Sequence, residues 1–162
     1  MINHRKDVSL KRLYLFYNDM KYTIPLDVKE LEYKNYHVFI NLTINSVPCR
    51  LLVDTGASKT VFDAERVLRF VSEQKITSHE SKSVGLGVTN METKVATLKD
   101  ITVKKFNRKK MEVAILPLAH VNTTYALLEI PEIDGVLGSD FLMKYKAVID
   151  FGKAQLQLTK RK

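Results

Sequence analysis

Residues 51–60 read LLVDTGASKT, an apolar run that stops at one acid followed by Thr and Gly. Leu51, Leu52 and Val53 suit a buried strand, and a carboxylate at the end of such a strand is costly unless hydrogen-bonded, neutralised or used. Two chemistries compete for the stretch: Asp54 as a catalytic acid, or GASKT as the tail of a phosphate-binding loop. Spacing removes the second. A Walker loop needs glycine, four residues, then Gly-Lys-Ser/Thr, because backbone amides must wrap the phosphates. Aligning Lys59-Thr60 puts Val53 and Ser58 where those glycines belong. Gly85 and Gly87 also lack the third glycine of a dinucleotide fingerprint, since Asn90 stands there.

Outward from this stretch most of the chain alternates with period two, the mark of half-buried strands. Val38, Ile40, Leu42 and Ile44 form one face, and Val47, Cys49, Leu51 and Val53 continue it after the turn residues Asn45-Ser46. The pair predicts a β-hairpin whose second strand delivers Asp54. Met20, Tyr22, Ile24, Leu26 and Val28 predict an extra strand within an N-terminal extension, residues 1–35, with Pro25 marking an edge. After the loop, Val61-Phe62 resume a strand, and Asp63 is placed to cap a helix over 64–73 with Val67, Leu68 and Val71 inward. Residues 77–95 predict a hairpin tipped at Val84–Gly87, and a basic turn at Asn107 separates Ile101 and Val103 from Val113 and Ile115. Gly135–Gly138 reads as a short strand. Ser139 then caps a brief helix through Phe141 and Leu142, and 147–151 and 155–158 supply closing strands. The expected fold is all-β with one or two short helices.

Bulk properties bound the rest. The 162 residues fit one domain with a core of its own. A single cysteine, Cys49, excludes an intramolecular disulfide and a thiolate zinc cluster, and its alternation with Leu51 and Val53 assigns it to the interior. His4, His37, His79 and His120 are scattered without ligand spacing, so neither metal nor cofactor is expected. The apolar run LYLFY near the start is shorter than a signal-peptide core, and the expectation is a cytoplasmic chain without membrane contact. Much of the +8 formal charge sits at Lys99, Lys104, Lys105, Arg108, Lys109 and Lys110. Such a cluster at a turn reads as a solvated hairpin tip rather than a nucleic-acid module, leaving open an acidic partner or substrate.

Asp54-Thr55-Gly56 led in by a strand, the small residues Ala57 and Ser58, the pair Val61-Phe62, and Val136-Leu137-Gly138 before a short helix form one constellation. With the stretches LLVDTGASKTVF, VGLG, IDGVLGSDFLMKYKAVIDF and NYHVFINLTI, it resembles the single-domain, retropepsin-like aspartic proteases, particularly the bacterial type. The resemblance spans roughly residues 36–158, so a protease domain is assigned to 36–162. It implies a retropepsin-like barrel acting as a symmetric homodimer and an aspartic endopeptidase acting on extended peptides. Carboxylate-driven peptide hydrolysis needs two Asp side chains sharing a proton around a water. Asp134-Gly135 lacks the intervening Thr or Ser, Asp150 is followed by Phe151, and Asp140 falls at a helix start. One chain therefore supplies one catalytic loop, and a second Asp54 must come from a second subunit.

The resemblance further implies that Thr55 bonds its counterpart across the two-fold axis and that Ser58 lies beside the substrate backbone. Thr55 and Gly56 are thus assigned to the active-site loop and dimer contact. Ala57, Ser58 and the flap residues Gly85, Leu86 and Gly87 are assigned to substrate binding. Pepsin-like enzymes carry Ser or Thr where this chain has Ala57, so an activity optimum nearer neutrality is expected. Asp54 as a structural acid in an inactive, dimeric peptide-binding module of the same fold is the alternative.

Overall fold

A computed structural model describes residues 19–80 and 92–161. The chain runs through strands β1 (Asp19–Pro25), β2 (Asp27–Glu30), β3 (Tyr36–Ile44), β4 (Val47–Val53), β5 (Val61–Asp63), β6 (Ile76–Glu80), β7 (Glu92–Val103) and β8 (Phe106–Leu116). Helix α1 (Ala119–Leu127) follows, then β9 (Gly135–Leu137), α2 (Ser139–Lys144), β10 (Val148–Asp150) and β11 (Gln155–Arg161). Eight strands form one sheet in the order β2-β3-β4-β9-β5-β8-β7-β6, and a further β3–β7 pairing closes six of them into a barrel. The expected all-β class is what the chain adopts. Among the described residues no helix is long and apolar enough to cross a membrane.

The hairpin that decides the fold forms as its alternation predicts. β3 and β4 pair antiparallel from Ile44↔Val47 to Phe39↔Leu52. Asn45 and Ser46 both take positive φ (50° and 66°), the pairing that matches the right-handed twist of two-residue hairpins. Their inner faces bury Ile40, Ile44, Cys49 and Leu51 among Phe62, Leu98, Phe106 and Leu137. Phe39 points the other way, into a second cluster with Tyr125, Ile130 and Ile133 beneath α1.

Several expectations are corrected by tertiary partners. The strand read over Met20–Val28 is two strands. β1 pairs with β11, whereas β2 pairs with β3, and at the break the Leu26 N–H donates to the Ala154 carbonyl (2.8 Å). The helix read over 64–73 is a turn and two single 3₁₀ turns, Arg66–Arg69 and Glu73–Lys75. A 3₁₀ turn eclipses residues three apart. Here that stacks Val67 above Phe70 inward and leaves Leu68 outward, 48% exposed. Val103 pairs with Phe106, so the basic turn is Lys104-Lys105 and Asn107 lies within β8.

Helix α1 has no counterpart in the sequence reading. Its run AHVNTTYAL is rich in β-branched residues and shows no helical stripe. Thr123 and Thr124 return their hydroxyls to the carbonyls of Ala119 and His120, satisfying themselves inside the helix. The buried Asn122 docks it by donating to the Ile133 carbonyl (3.1 Å) and accepting the Ile133 N–H (2.9 Å).

Candidate active site

β9 runs parallel to β4 and antiparallel to β5, lying between them, so the loop 54–60 must cross its end. The Asp54 N–H donates to the Leu137 carbonyl (3.1 Å), carrying the parallel pairing one residue past β4. The loop then passes so close to Gly138 that a Cβ there would meet Lys59 backbone atoms at 2.5 Å. Glycine at 138 is thus scaffold, required by a backbone that leaves no room for a side chain. The Ser139 N–H closes the other side by donating to the Ala57 carbonyl (2.8 Å).

Within the loop the Gly56 N–H donates to Asp54 Oδ1 (2.8 Å), and a Cβ on Gly56 would lie 3.2 Å from that oxygen. The glycine lets a backbone amide hold the carboxylate. Asp54, Thr55 and Ser58 are exposed and Ala57 half-buried. Asp54 is therefore not interred in the single chain: the strand before it buries Cys49 and Leu51, and the acid is presented at the surface.

The loop's far end is locked by a pair the sequence reading did not connect. Thr60 is 1% exposed. Its hydroxyl donates to Asp140 Oδ1 (2.7 Å) and accepts the Gly138 N–H (3.1 Å), while its own N–H also reaches Asp140 Oδ1 (2.9 Å). Asp140 does sit at the helix start, accepting the Phe141 N–H (2.8 Å), but it is equally a clasp on the Asp-Thr-Gly loop. Gly138, not Ser139, is the residue before α2, and no side chain caps it.

Three further aspartates, Asp134, Asp63 and Asp150, hold structural bonds. Asp134, 1% exposed, accepts from the Arg50 N–H (2.9 Å), Arg66 Nε (2.9 Å) and Arg69 NH1 (2.5 Å). Asp63 accepts the N–H groups of Glu65 and Arg66 on one oxygen and that of Leu118 on the other. Burial pushes the Asp63 carboxyl up, but those backbone donors, Arg66 foremost, outweigh it and hold the group below its ordinary range. Asp150 Oδ1 accepts the Lys153 N–H in the β10–β11 turn. Cys49 is buried, and desolvation pushes its thiol up, away from nucleophilic use. His37 Nδ1 lies 2.8 Å from the Tyr125 hydroxyl, a link between β3 and α1.

The assigned flap residues Gly85, Leu86 and Gly87 lie outside the described residues. Their flanks are the expected hairpin: β6 and β7 pair antiparallel from Ile76↔Ala96 to Glu80↔Glu92. The arginines of the Asp134 network escaped the sequence reading because a charged pair at i, i+3 looks like a solvated helix face. The signal available was Asp-Gly after an apolar residue, which marks a buried acid only once its partners are known.

This frame, a closed barrel with an Asp-Thr-Gly loop crossing an inserted strand, defines a retropepsin-like aspartic protease fold. The chain belongs to the aspartyl protease family, whose model matches residues 40–141, more than half its length. Among solved structures it is similar to a retropepsin-like aspartic protease from Rickettsia conorii, with a TM-score of 0.53 at 19% identity over 87% of this chain and 91% of that one. It is also similar to the retroviral protease-like domain of Ddi1 from Leishmania major (TM-score 0.49, 14% identity, 74% and 83% coverage). The EIAV protease complexed with the inhibitor HBY-793 matches with a TM-score of 0.44 at 22% identity over 75% and 98% of the two chains. No curated protein matches the sequence.

Proposed function

We propose that the protein is an aspartic endopeptidase whose catalytic centre is completed by Asp54 from each of two identical subunits. The observation that carries this reading is the single Asp-Thr-Gly loop, fixed at both ends and presenting its carboxylate at the surface. In the dimer one Asp54 takes a proton from the water that attacks the scissile carbonyl, while the protonated partner polarises the carbonyl oxygen. Two carboxylates so close cannot both ionise readily, so the pair titrates as a unit. Thr55 holds the facing loops together. Ala57 and Ser58 contact the substrate backbone, and Gly85–Gly87 cover it. Residue 57 offers no hydroxyl to stabilise the ionised acid, so the optimum lies nearer neutrality than in a gastric-type enzyme.

Among the described residues no strand pairs with the second edge of β10, which supports the assembly. In the three-stranded sheet β1-β11-β10, β10 pairs on one side with β11. Val148 on it, with Met143 before it and Phe151 after it, is well exposed (55%, 78% and 66%). An edge strand carrying apolar side chains is a template for a second chain. β1, by contrast, ends in Pro25 and carries the exposed Lys21, devices that blunt an edge.

Cleavage of a diverse peptide library near neutral pH by the wild type and by Asp54→Asn tests the chemistry. Loss of activity in the variant is expected, at least a thousandfold since the nucleophilic water then has no base. Equal activity in both proteins sinks the mechanism, and no activity in either favours a peptide-binding module.

A further inference from the structure

The barrel end away from Asp54 carries a recessed surface. β4 runs from the Asn45-Ser46 turn to the catalytic loop, so the two ends lie on the order of 20 Å apart along its seven residues. Beside that turn, the 3₁₀ turns after β5 and the outer side of β7 enclose an open cavity of about 390 Å³. Its walls include Leu68, Phe70 and Val71, and its polar rim includes Asn45, Lys75 and Lys99. The shape is held: Asn45 Nδ2 donates to the Phe70 carbonyl (2.8 Å), and Arg69 beside it is committed to Asp134.

The charged residues that line this cavity, Arg69, Lys75 and Lys99, are all basic. Lys75 and Lys99 are exposed, and β7–β8 register sets Lys99 directly opposite Lys110, a like-charge cross-strand pair that costs stability in the isolated chain. Among the described residues no ion pair engages Lys75, Lys99 or Lys110. The acids nearest in sequence or register are Glu73, Asp100 and Glu112. Beyond Lys110 the same hairpin carries Lys109, Arg108, Lys105 and Lys104, and Lys160 Nζ joins it by donating to the Asn107 carbonyl (2.7 Å).

We propose that this cavity is an exosite for acidic peptide segments carrying apolar side chains, which tether a protein substrate at the barrel end remote from Asp54. A side chain such as leucine or phenylalanine fills the space against Leu68 and Val71, and flanking Asp or Glu residues meet Lys75, Lys99 and Lys110. The occupant is a peptide rather than a nucleic acid or a lipid surface because of the site's shape. Among the described residues that line the cavity the one aromatic, Phe70, is buried and offers no open ring face on which a base can stack, and a bilayer cannot enter a recess of this size. The tethering role rests on the endopeptidase reading; the binding site does not.

The test uses full-length Asp54→Asn protein, so that binding is read without cleavage. A fluorescein-labelled peptide alternating Glu with Leu and Phe is titrated by anisotropy, beside a lysine-for-glutamate counterpart, an oligothymidylate and phosphatidylserine vesicles. Saturable binding of the acidic peptide alone is expected, weakening as salt is raised. Lys75→Glu with Lys99→Glu weakens it about tenfold or more, Leu68→Ser several-fold, and the distant Lys21→Glu leaves it unchanged. Binding that the double reversal changes less than twofold overturns the proposal, as does tighter binding of the oligonucleotide or vesicles at the same lysines. With active protein, the same double variant raises KM for a substrate bearing an acidic extension and leaves kcat and short-peptide cleavage alone. An unchanged KM overturns the tether, whereas absence of cleavage in the parent protein overturns the protease reading and leaves the binding result standing.

Discussion

Thr60 and Asp140 are eighty residues apart in the chain and share a 2.7 Å hydrogen bond at the root of the Asp-Thr-Gly loop. The same hydroxyl accepts the Gly138 N–H, so one buried oxygen ties β5, β9 and α2 together. Thr60→Val keeps the shape, leaves the buried Gly138 N–H unsatisfied and removes one of the three donors to Asp140 Oδ1. The expected loss is about 1–3 kcal/mol in urea unfolding, with Thr60→Ser recovering most of it. A neutral Thr60→Val would mean that the loop is anchored elsewhere.

Gly138→Ala tests the same junction sterically. Its methyl would sit 2.5 Å from the Lys59 carbonyl group, atoms that cannot swing aside as a side chain can. Destabilisation of about 1–3 kcal/mol is expected from overpacking, together with a loss of peptide cleavage larger than the fall in folded protein. Activity per folded molecule, from cleavage rates normalised by circular dichroism, separates the two effects.

Asp134 binds three donors in the interior, two of them guanidinium groups. Asp134→Ala removes this acceptor from Arg66, which keeps Glu132, and from Arg69; because both side chains reach solvent, the cost lies below that of breaking a fully buried pair, at roughly 2–3 kcal/mol. For a domain of this size the thermal midpoint should fall by roughly 4–12 °C. A shift of a degree or two would show that solvent already screens the network.

What the sequence disclosed and what it hid divide along physical lines. The β3–β4 hairpin and Asp54 at its end were legible because period-two alternation and a two-residue turn are local properties. α1 was hidden because Asn122 and Tyr125 are buried for partners far along the chain, Ile133 and His37, rather than by a helical stripe. The 64–73 segment has helical propensity, yet Asp63 and Asp134 draw it into 3₁₀ turns that aim Arg66 and Arg69 one way. Thr60 and Asp140 each look unremarkable alone. Only the crossing of β9 between β4 and β5 makes them neighbours.

Asp63 gives the fold an acid limb. Burial raises its carboxyl, but the N–H groups of Arg66, Leu118 and Glu65 together hold it below the ordinary value. A carboxyl depressed on folding contributes stability above its unfolded value, about pH 4, which is lost as pH falls through the folded value. Urea midpoints should be flat from pH 7 to 5 and drop below about pH 4. Asp63→Asn should lower stability at pH 7 and make the acid drop shallower. An acid limb of unchanged steepness would assign it to other carboxylates, Asp27 beside Arg50 among them.

The proposed assembly makes its own demand on β10. Val148 and Phe151 are 55% and 66% exposed in the single chain, so replacing them removes little intramolecular packing. Val148→Asp with Phe151→Asp should leave the urea midpoint of dilute protein within about 0.5 kcal/mol. If β10 edges meet in the dimer, the same change places four like charges at the contact, and sedimentation should show a monomer where the wild type is a dimer. Cleavage should then fall with the square of subunit concentration, because the proposed active centre needs two copies of Asp54. A double variant that remains dimeric and active would move the interface off β10, whereas an active monomer would overturn the shared-site reading itself.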